Sequence, residues 1–500
     1  MLDQFEQASC WGCGFSELDA WFHLRGTGCV ESRLCAQAEI RRNKKSSKDK
    51  ATCHGKSSSC ANRKSPGFVN KNRLCHRTFT KLQNHNTRGT DEKPKMKRST
   101  NINPFRTTCL AIIGFASLLQ AGEPLPLPEN TPWNLTQLKK TPNFKWIRQE
   151  GEIHSLTYSG EKYRGKPTSV FAYYASPATL GIKTKGKVPG IVLVHGGGGS
   201  AFSKWAHIWA KRGYAAIAMD LAGKGEGRKR LADGGPDQGH REKFSTIDEP
   251  HENQWTYHAV ANVVRGHSLL RSLPGIDAEN IALTGISWGG YLTCIVAGVD
   301  DRFKVAMPVY GCGFLRDNSV WTKSEFGKLS GKQSDKWHNL WDPSRYIGSA
   351  KMPVMFLNGT NDFAYPMDSY AKTCALVRTE KNYSIQLRMK HGHLFEFREF
   401  FLFVDQYIRD TTPMAVVSRP MVKDGTVHAE VKSETRLVSA RLHFTTGPHE
   451  QNRSRPWTTV NLEVASKKVS GSAPPKNATA WYIDVTDERK ALTSSEVMIP

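Results

Sequence analysis

A single serine stands between two glycines in the stretch IALTGISWGG, residues 281–290, where Ser287 lies two residues from both Gly285 and Gly289. The apolar run before it is typical of the end of a buried strand, and the apolar residues from Tyr291 onward predict a helix. A serine on a sharp turn between a strand and a helix is held clear of the backbone, where only small neighbours avoid a clash. The pattern therefore predicts a nucleophilic Ser287.

Four consecutive glycines follow the predicted strand IVLV, in the stretch HGGGGS, residues 195–200. Without side chains in the way, backbone N–H groups of such a loop can turn toward an oxyanion. We expect the Gly197 N–H to be one donor. The Trp288 N–H, which would open the helix after Ser287, is expected to be the second donor of an oxyanion hole.

A carboxylate and an imidazole follow at the ends of later predicted strands. Asp362, in FLNGTNDFAYP, could orient an imidazole and stabilise its charged form; Asp368 is the nearest competitor but is expected to lie in the next helix. Two histidines compete for the base in LRMKHGHLF. We favour His393, because the glycine before it would allow a tight turn that brings the imidazole back to the serine, and His391 is the alternative base.

The elements around these residues alternate between strand and helix. Strands are predicted at PGIVLVHG, AAIAMDLAG, IALTGIS, KVAMPVYG, PVMFLNG and SIQLRMK, with helices between them and a last helix in FREFFLFVDQYIRD. Near-continuous apolar strands of this kind predict an α/β fold, with a doubly wound, mainly parallel sheet covered on both faces. The polar, glycine-rich segment 223–255 is too long for an ordinary connection and is interpreted either as an active-site loop or lid or as a disordered surface insertion.

The order Ser287, Asp362, His393 resembles that of the α/β-hydrolase superfamily, and the resemblance extends over residues 187–410. Within it, GISWGGYLT and AMPVYGCGF resemble the prolyl oligopeptidase and the acetyl xylan esterase/dienelactone hydrolase branches. The Asp362 loop and the final HGH are similar to those of secreted carbohydrate deacetylases. The resemblance implies Ser287 as nucleophile, His393 as base and Asp362 as orienting acid, with no metal and no cofactor.

This resemblance leads to the hypothesis of a serine esterase that deacetylates acylated carbohydrate, with an ester or acylated polysaccharide as substrate. A prolyl oligopeptidase-type serine peptidase is the first alternative, although such enzymes usually carry a large β domain before the catalytic part. The second alternative is an inactive hydrolase-fold protein that binds polysaccharide. That alternative depends on Trp457 and Trp481 being exposed, whereas both are interpreted as core residues of a β-sandwich.

Four regions are predicted along the chain. Residues 1–95 are interpreted as a disordered or spurious extension, because they are rich in Lys, Ser and Asn without apolar periodicity. Residues 96–121 combine a basic start, a short apolar core and a Pro-rich exit, which predicts a signal peptide, translation from Met96 and a secreted or periplasmic protein. Residues 122–411 are the predicted catalytic domain. Short alternating strands in residues 412–500 predict a small all-β sandwich domain.

The composition limits the classes of function. The formal net charge of +24 is not gathered into a dense basic run after the first hundred residues, so no nucleic-acid partner is predicted. The apolar core of the signal-like segment is too short to span a bilayer, so no integral membrane segment is expected. Cys294, Cys312 and Cys374 are expected to be small buried residues rather than a disulfide framework. The sequence makes no prediction of the oligomeric state.

Overall fold

The computed structural model describes residues 122–393 and 395–500. The predicted extension (1–95) and the predicted signal peptide (96–121) lie outside the described residues. Those described belong to one compact unit. No helix within 122–393 or 395–500 is both long enough and apolar enough to cross a bilayer.

Nine strands of the α/β part form the portion of the sheet that carries the site. Their order is β1-β2-β3-β5-β4-β6-β7-β8-β9, antiparallel from β1 to β5 and parallel from β5 to β9. The strands are β1 Phe144–Arg148, β2 His154–Ser159, β3 Ser169–Ala175, β4 Val188–Val194, β5 Ala215–Met219, β6 Ile276–Ile286, β7 Val305–Val309, β8 Val354–Gly359 and β9 Lys381–Gln386. The sequence-based prediction of a doubly wound, mainly parallel sheet agrees with this order.

Helices occupy most connections between these strands, as the alternation in the sequence predicts. They are α1 Leu135–Leu138, α2 Ser203–Lys211, α3 Trp255–Ser272, α4 Trp288–Val299, α5 Leu315–Asn318, α6 Trp321–Ser324, α7 Gly331–Trp341, α8 Met367–Leu376 and α9 Arg398–Ile408. The helical segments α5, α6 and α7, between β7 and β8, are absent from the sequence-based prediction.

The centre of the sheet is buried because its strands are apolar on both faces. Residues of β4, β6 and β7 such as Val192, Leu283 and Val305 have no exposed surface, and α4 is buried over nearly its whole length. Burying one side chain of this size contributes about 1.5–3 kcal/mol. The carboxyl ends of these neighbouring strands are therefore held rigidly side by side, and the polar residues that follow them are held in place.

Eight shorter strands follow in the C-terminal part. They are β10 Val416–Val417, β11 Met421–Lys423, β12 Thr426–Lys432, β13 Leu437–Thr445, β14 Thr458–Ala465, β15 Lys468–Ser472, β16 Ala480–Asp487 and β17 Leu492–Ser494. They enclose a second apolar core that includes Val427, Leu442, Val469 and Ile483. Strand β17 pairs antiparallel with β9, on the side of β9 away from β8. Since this region belongs to the same compact unit as the α/β part, a separate sandwich domain at 412–500 stays a prediction.

The C-terminal aromatic residues are not exposed. Trp481 is 7% exposed and lies in the second core, and Trp457 is partly buried against the main core. The polysaccharide-binding alternative depends on exposed aromatic side chains. Trp457 and Trp481 do not supply them. Cys294, Cys312 and Cys374 are buried and unpaired, as expected.

Candidate active site

Ser287 lies on the turn between β6 and α4, at φ 60° and ψ −119°, a conformation that a non-glycine residue adopts only when its surroundings enforce it. Its N–H donates to the Val309 carbonyl at 3.0 Å, which ties the turn to the neighbouring strand β7. A side chain at Gly289 would put its Cβ 2.1 Å from the Val194 carbonyl oxygen. The glycine is therefore required by close packing of the turn against β4.

Asp362 lies in the loop after β8, and its carboxylate is held at both oxygens. Oδ1 accepts hydrogen bonds from the N–H groups of Ala364 and Tyr365, each at 2.9 Å. Oδ2 lies 2.6 Å from His391 Nδ1, and the side chain is buried. Asp368 lies in α8, as expected, and its Oδ2 accepts from Asn318. The acid of the candidate site is thus Asp362.

The imidazole that reaches the serine belongs to His391. Its Nε2 lies 2.9 Å from Ser287 Oγ while its Nδ1 lies 2.6 Å from Asp362 Oδ2. A carboxylate only accepts hydrogen bonds, so the neutral ring carries its proton on Nδ1 and accepts the Ser287 hydroxyl proton at Nε2. The preference for His393 is wrong on geometry: the alternative, His391, occupies the position between the serine and the acid.

His393 lies instead beside the glycine-rich loop. Its ring packs against Phe202, with centroids 5.1 Å apart. A Cβ at Gly196 or at Gly199 would come within 3.2 or 3.0 Å of its Nε2. Desolvation, followed by the charges of His195 and His391, lowers the pKa of His393 to about 4. His393 is therefore a neutral neighbour of the loop at neutral pH.

His195, at the start of the glycine-rich loop, ties this loop to the residues that follow β5. Its Nδ1 donates to the Gly196 carbonyl at 2.8 Å and its Nε2 accepts the Leu221 N–H at 2.9 Å. Burial lowers the pKa of His195 to about 4, so the ring is neutral and both nitrogens have defined roles. The Gly196 carbonyl also accepts the Gly199 N–H at 3.1 Å. This neutral imidazole therefore sets the shape of the loop.

The two predicted oxyanion donors lie close to each other. A Cβ on Gly197 would lie 2.8 Å from Trp288 Cδ1, which places the loop directly against the residue after the nucleophile. Within the described part of the chain, neither the Gly197 nor the Trp288 N–H has a hydrogen-bond acceptor. The Trp288 N–H is the first of α4, where backbone donors are unpaired and the helix dipole favours negative charge. Their role as an oxyanion hole stays a prediction.

Residues 223–255 contact this site. Arg228 donates to the Gly198 carbonyl at 2.6 Å. Lys243, buried in this segment, places its Nζ 4.7 Å from the centre of the Trp288 ring, and desolvation lowers its pKa to about 8. The neighbouring Phe244 packs on Trp288 at 5.8 Å. The segment therefore contacts both the glycine-rich loop and the residue after Ser287, in agreement with its interpretation as an active-site loop.

Three aromatic residues around His391 are missing from the sequence-based prediction. Tyr310, after β7, stacks on the imidazole at 4.4 Å, and its hydroxyl donates to the Lys390 carbonyl at 3.0 Å. Tyr365 lies nearly parallel to the imidazole at 6.2 Å, and Phe363 contacts it at 4.7 Å. Tyr310 could have been found as a strand-end residue beside Ser287, since both follow adjacent parallel strands.

The described residues hold no group of three or more His, Cys, Asp or Glu side chains arranged for a metal ion. The absence of a cofactor from the proposed chemistry stays a prediction. The arrangement of hydroxyl, imidazole and carboxylate can transfer a proton from the serine to the base while the acid stabilises the resulting charge.

This fold and the arrangement of Ser287, His391 and Asp362 define the class of protein: the chain is a member of the α/β-hydrolase superfamily. Residues 200–401 match the model of the Prolyl oligopeptidase family. The chain is 24% identical over 196 residues to the uncharacterized peptidase YuxL of Bacillus subtilis (strain 168), a match that covers 36% of this chain and 27% of that protein. The chain thus spans about a quarter of the length of that relative.

Solved structures of both esterases and peptidases are similar to the chain. The acetyl xylan esterase from Paenibacillus sp. R4 shares 21% identity, with a TM-score of 0.45, over 55% of this chain and 92% of that one. The acylaminoacyl peptidase of Pyrococcus horikoshii shares 22% identity, with a TM-score of 0.37, over 52% of this chain and 40% of that one.

Proposed function

We propose that the protein is a serine esterase that removes short acyl groups, such as acetyl, from carbohydrate. One observation carries the proposal: the hydrogen bonds from Ser287 Oγ to His391 Nε2 and from His391 Nδ1 to Asp362 Oδ2 form one continuous chain. Ser287 acts as nucleophile, His391 as general base and Asp362 as the acid that orients the base and stabilises its charged form.

The reaction proceeds in two acyl-transfer steps. His391 takes the Ser287 proton as Oγ attacks the ester carbonyl, and the N–H groups of Gly197 and Trp288 stabilise the oxyanion. Protonated His391 then gives its proton to the leaving alcohol, and the acyl-serine forms. Water, deprotonated by the same imidazole, releases the acid and restores Ser287.

Buried rings support a short acyl group. Trp288 and Trp321 pack together at 4.7 Å, Tyr365 packs on Trp321 at 5.4 Å, and all three rings are buried. The Tyr365 hydroxyl lies next to Ser287, and burial raises the pKa of that hydroxyl well above its usual value. A long acyl chain would require an open apolar channel, whereas this side of the nucleophile is filled with rings.

Polar groups support a hydrophilic alcohol. Arg228 is exposed at the glycine-rich loop, and the guanidinium of Arg453 lies 5.9 Å from the ring centre of Phe363, which is itself 46% exposed beside His391. An aromatic face next to charged donors is suited to a sugar ring with its hydroxyl groups. These residues would contact the carbohydrate from which the acyl group leaves.

A serine peptidase is the second candidate, favoured by the match of residues 200–401 to the Prolyl oligopeptidase family. The same three residues would cleave a peptide bond, with His391 protonating the leaving amine instead of an alcohol. Hydrolysis of aminoacyl or prolyl p-nitroanilides at rates above those on acetylated sugars would favour this candidate over the esterase.

The test is a substrate panel run on paired variants. Purified protein is assayed with p-nitrophenyl acetate, p-nitrophenyl esters of longer chains, acetylated xylan and peptide p-nitroanilides. We expect turnover of acetyl esters and acetylated xylan, its loss in Ser287→Ala, and no change in the matched surface variant Ser472→Ala. Equal turnover by Ser287→Ala and the wild type, or cleavage of the peptide substrates alone, would overturn the esterase proposal.

We also propose export of the protein, on the sequence of residues 96–121. Mass spectrometry of the native protein tests this proposal. We expect a mature N-terminus just after Ala121 and no peptide from residues 1–95. Peptides from before Met96 in the native protein would contradict it.

A further inference from the structure

A segment of the C-terminal region lies on the loop that carries the acid. Residues 448–455 connect β13 with β14 and contain a 3-10 helix, His449–Ser454. The acid loop follows β8 and runs from Thr360 to the start of α8. The two segments are about ninety residues apart in the sequence, yet they are joined by several hydrogen bonds.

The first contact is made by Asn361, the residue before the acid. Its Nδ2 lies 3.1, 3.3 and 2.9 Å from the carbonyl oxygens of Asn452, Arg453 and Arg455. Its Oδ1 accepts the Thr360 hydroxyl at 2.8 Å. Because a carbonyl oxygen only accepts hydrogen bonds, the orientation of this amide is determined by its partners. Asn361 therefore inserts its NH₂ group into a ring of three carbonyls.

The second contact runs in the opposite direction. The Nδ2 of Asn452 donates to the backbone carbonyl of Asp362, and Asn452 is buried. The Asp362 carboxylate is held by the N–H groups of Ala364 and Tyr365, so side chain and backbone of the acid are both held. The hydrogen bonds to the Asp362 carboxylate come from within the acid loop, whereas the hydrogen bond to its backbone carbonyl comes from Asn452.

The segment that makes these contacts is itself anchored. Arg455 is fully buried, its Nε donates to the Gly447 carbonyl at 3.1 Å, and its Nη2 donates to Thr479 Oγ1 at 2.7 Å. On the other side, Asn318 donates to the His449 carbonyl at 3.2 Å. The segment is thus a fixed support rather than a surface loop that lies near the site.

We propose that residues 448–455 support the active site by holding the acid loop in place, and that Asn361 and Asn452 are positioning residues for the Asp362 carboxylate. This inference rests on the proposed function, in which Asp362 orients His391. A displacement of about 1 Å in a catalytic group costs on the order of 10²-fold in rate. The C-terminal region would therefore contribute to turnover without any residue of this segment entering the reaction.

The experiment compares Asn361→Ala and Asn452→Ala with Asn461→Ala, an exposed asparagine of the same region. Each variant is assayed with p-nitrophenyl acetate, and its rate of labelling by a fluorophosphonate is measured. We expect kcat and the labelling rate to fall about 10-fold or more in the first two variants, with KM changed less than about 2-fold. Asn461→Ala should match the wild type.

A double-mutant cycle separates positioning from general loss of structure. In an Asp362→Ala background, Asn452→Ala should lower kcat no further, because its effect passes through the missing carboxylate. Thermal unfolding is measured to establish that each variant is folded at the assay temperature. If Asn361→Ala does not fold, the cycle is carried out with Asn452→Ala. Unchanged kcat in the single variants, or an equal further fall in the Asp362→Ala background, overturns the inference.

Failure of this inference differs from failure of the proposed function. If Ser287→Ala abolishes ester hydrolysis while Asn452→Ala leaves kcat intact, the esterase proposal stands and the positioning role is rejected. If Ser287→Ala retains the wild-type rate, both are rejected together.

Discussion

The ring of Tyr310 stacks on the imidazole of His391, with centroids 4.4 Å apart and planes inclined by 22°. The Tyr310 hydroxyl also donates to the carbonyl of Lys390, the residue before His391. Tyr310 itself has a φ of 61°, enforced where the chain leaves β7. One residue beside the Ser287 turn thus fixes both the plane of the imidazole and the backbone that carries it.

We expect this packing to affect turnover in two stages. Tyr310→Phe removes the hydrogen bond to Lys390 and keeps the ring, so kcat on p-nitrophenyl acetate should fall only a few-fold. Tyr310→Ala removes both contacts and should cost on the order of 10²-fold, because the imidazole is then misplaced relative to Ser287. Equal rates for the two variants would contradict the role of the stacked ring.

The two histidines of the HGH stretch should differ sharply in their effects. His391→Ala removes the group between Ser287 and Asp362 and should lower kcat/KM by about 10⁴-fold, as expected for loss of a triad residue. His393→Ala leaves the chain of hydrogen bonds intact and should cost less than about 10-fold. Steady-state kinetics on one acetyl ester decides the assignment, and the reverse order would restore His393 as the base.

The choice between these two histidines could not be predicted from the sequence, unlike most of the site. The strand before Ser287, the turn, the helix after it and the acid at Asp362 were predictable, because each has a local pattern of apolar and small residues. The choice between His391 and His393 has no local signal. It depends on Tyr310, about eighty residues earlier, which fixes the backbone at Lys390.

The contacts of Asn361 with Asn452 lie beyond prediction for the same reason. An asparagine in a glycine-containing loop is typical of a turn, and nothing near residue 361 indicates that its amide binds carbonyls of a segment ninety residues away. The short helices α5 and α6 were also missed, because segments of four residues have too few turns to show a helical period.

His195 should make the stability of the fold depend on pH below neutrality. Burial lowers its folded-state pKa to about 4, whereas an unfolded histidine has a pKa near 6.5. As pH falls from about 6.5 to 4, His195 is protonated in the unfolded state but stays neutral in the folded state. The free energy of unfolding therefore decreases. The linked loss is roughly 3 kcal/mol, complete below pH 4.

Urea unfolding at pH 7 and pH 4.5 checks this expectation. In His195→Gln the linked proton is gone, so the drop in unfolding free energy between the two pH values should be smaller than in the wild type by about 2 kcal/mol. Other buried histidines, such as His258, whose pKa burial also lowers to about 4, are present in both proteins. The same pH dependence in both would show that His195 does not contribute.

Lys243 should give a pH dependence in the same direction as that of His195, but on the alkaline side of neutrality. Desolvation, opposed by Asp237, Glu242 and Glu325, lowers its folded-state pKa to about 8, against 10.5 for an exposed lysine. Between pH 8 and 10.5 the unfolded state binds more protons than the folded state, so the free energy of unfolding rises with pH through this interval. Below pH 8 the charged form is buried at a cost on the order of 3 kcal/mol.

Lys243→Met, which keeps an unbranched chain against the Trp288 ring, removes that cost. We expect it to raise the free energy of unfolding at pH 7 by about 1–3 kcal/mol, since part of the gain is offset by the lost attraction between the ammonium and the ring. At pH 10.5 the difference between the two proteins should be small, because Lys243 is then neutral in the folded wild type. A variant that is less stable than the wild type at pH 7 would show that the buried ammonium stabilises the fold, contrary to the direction of its pKa shift.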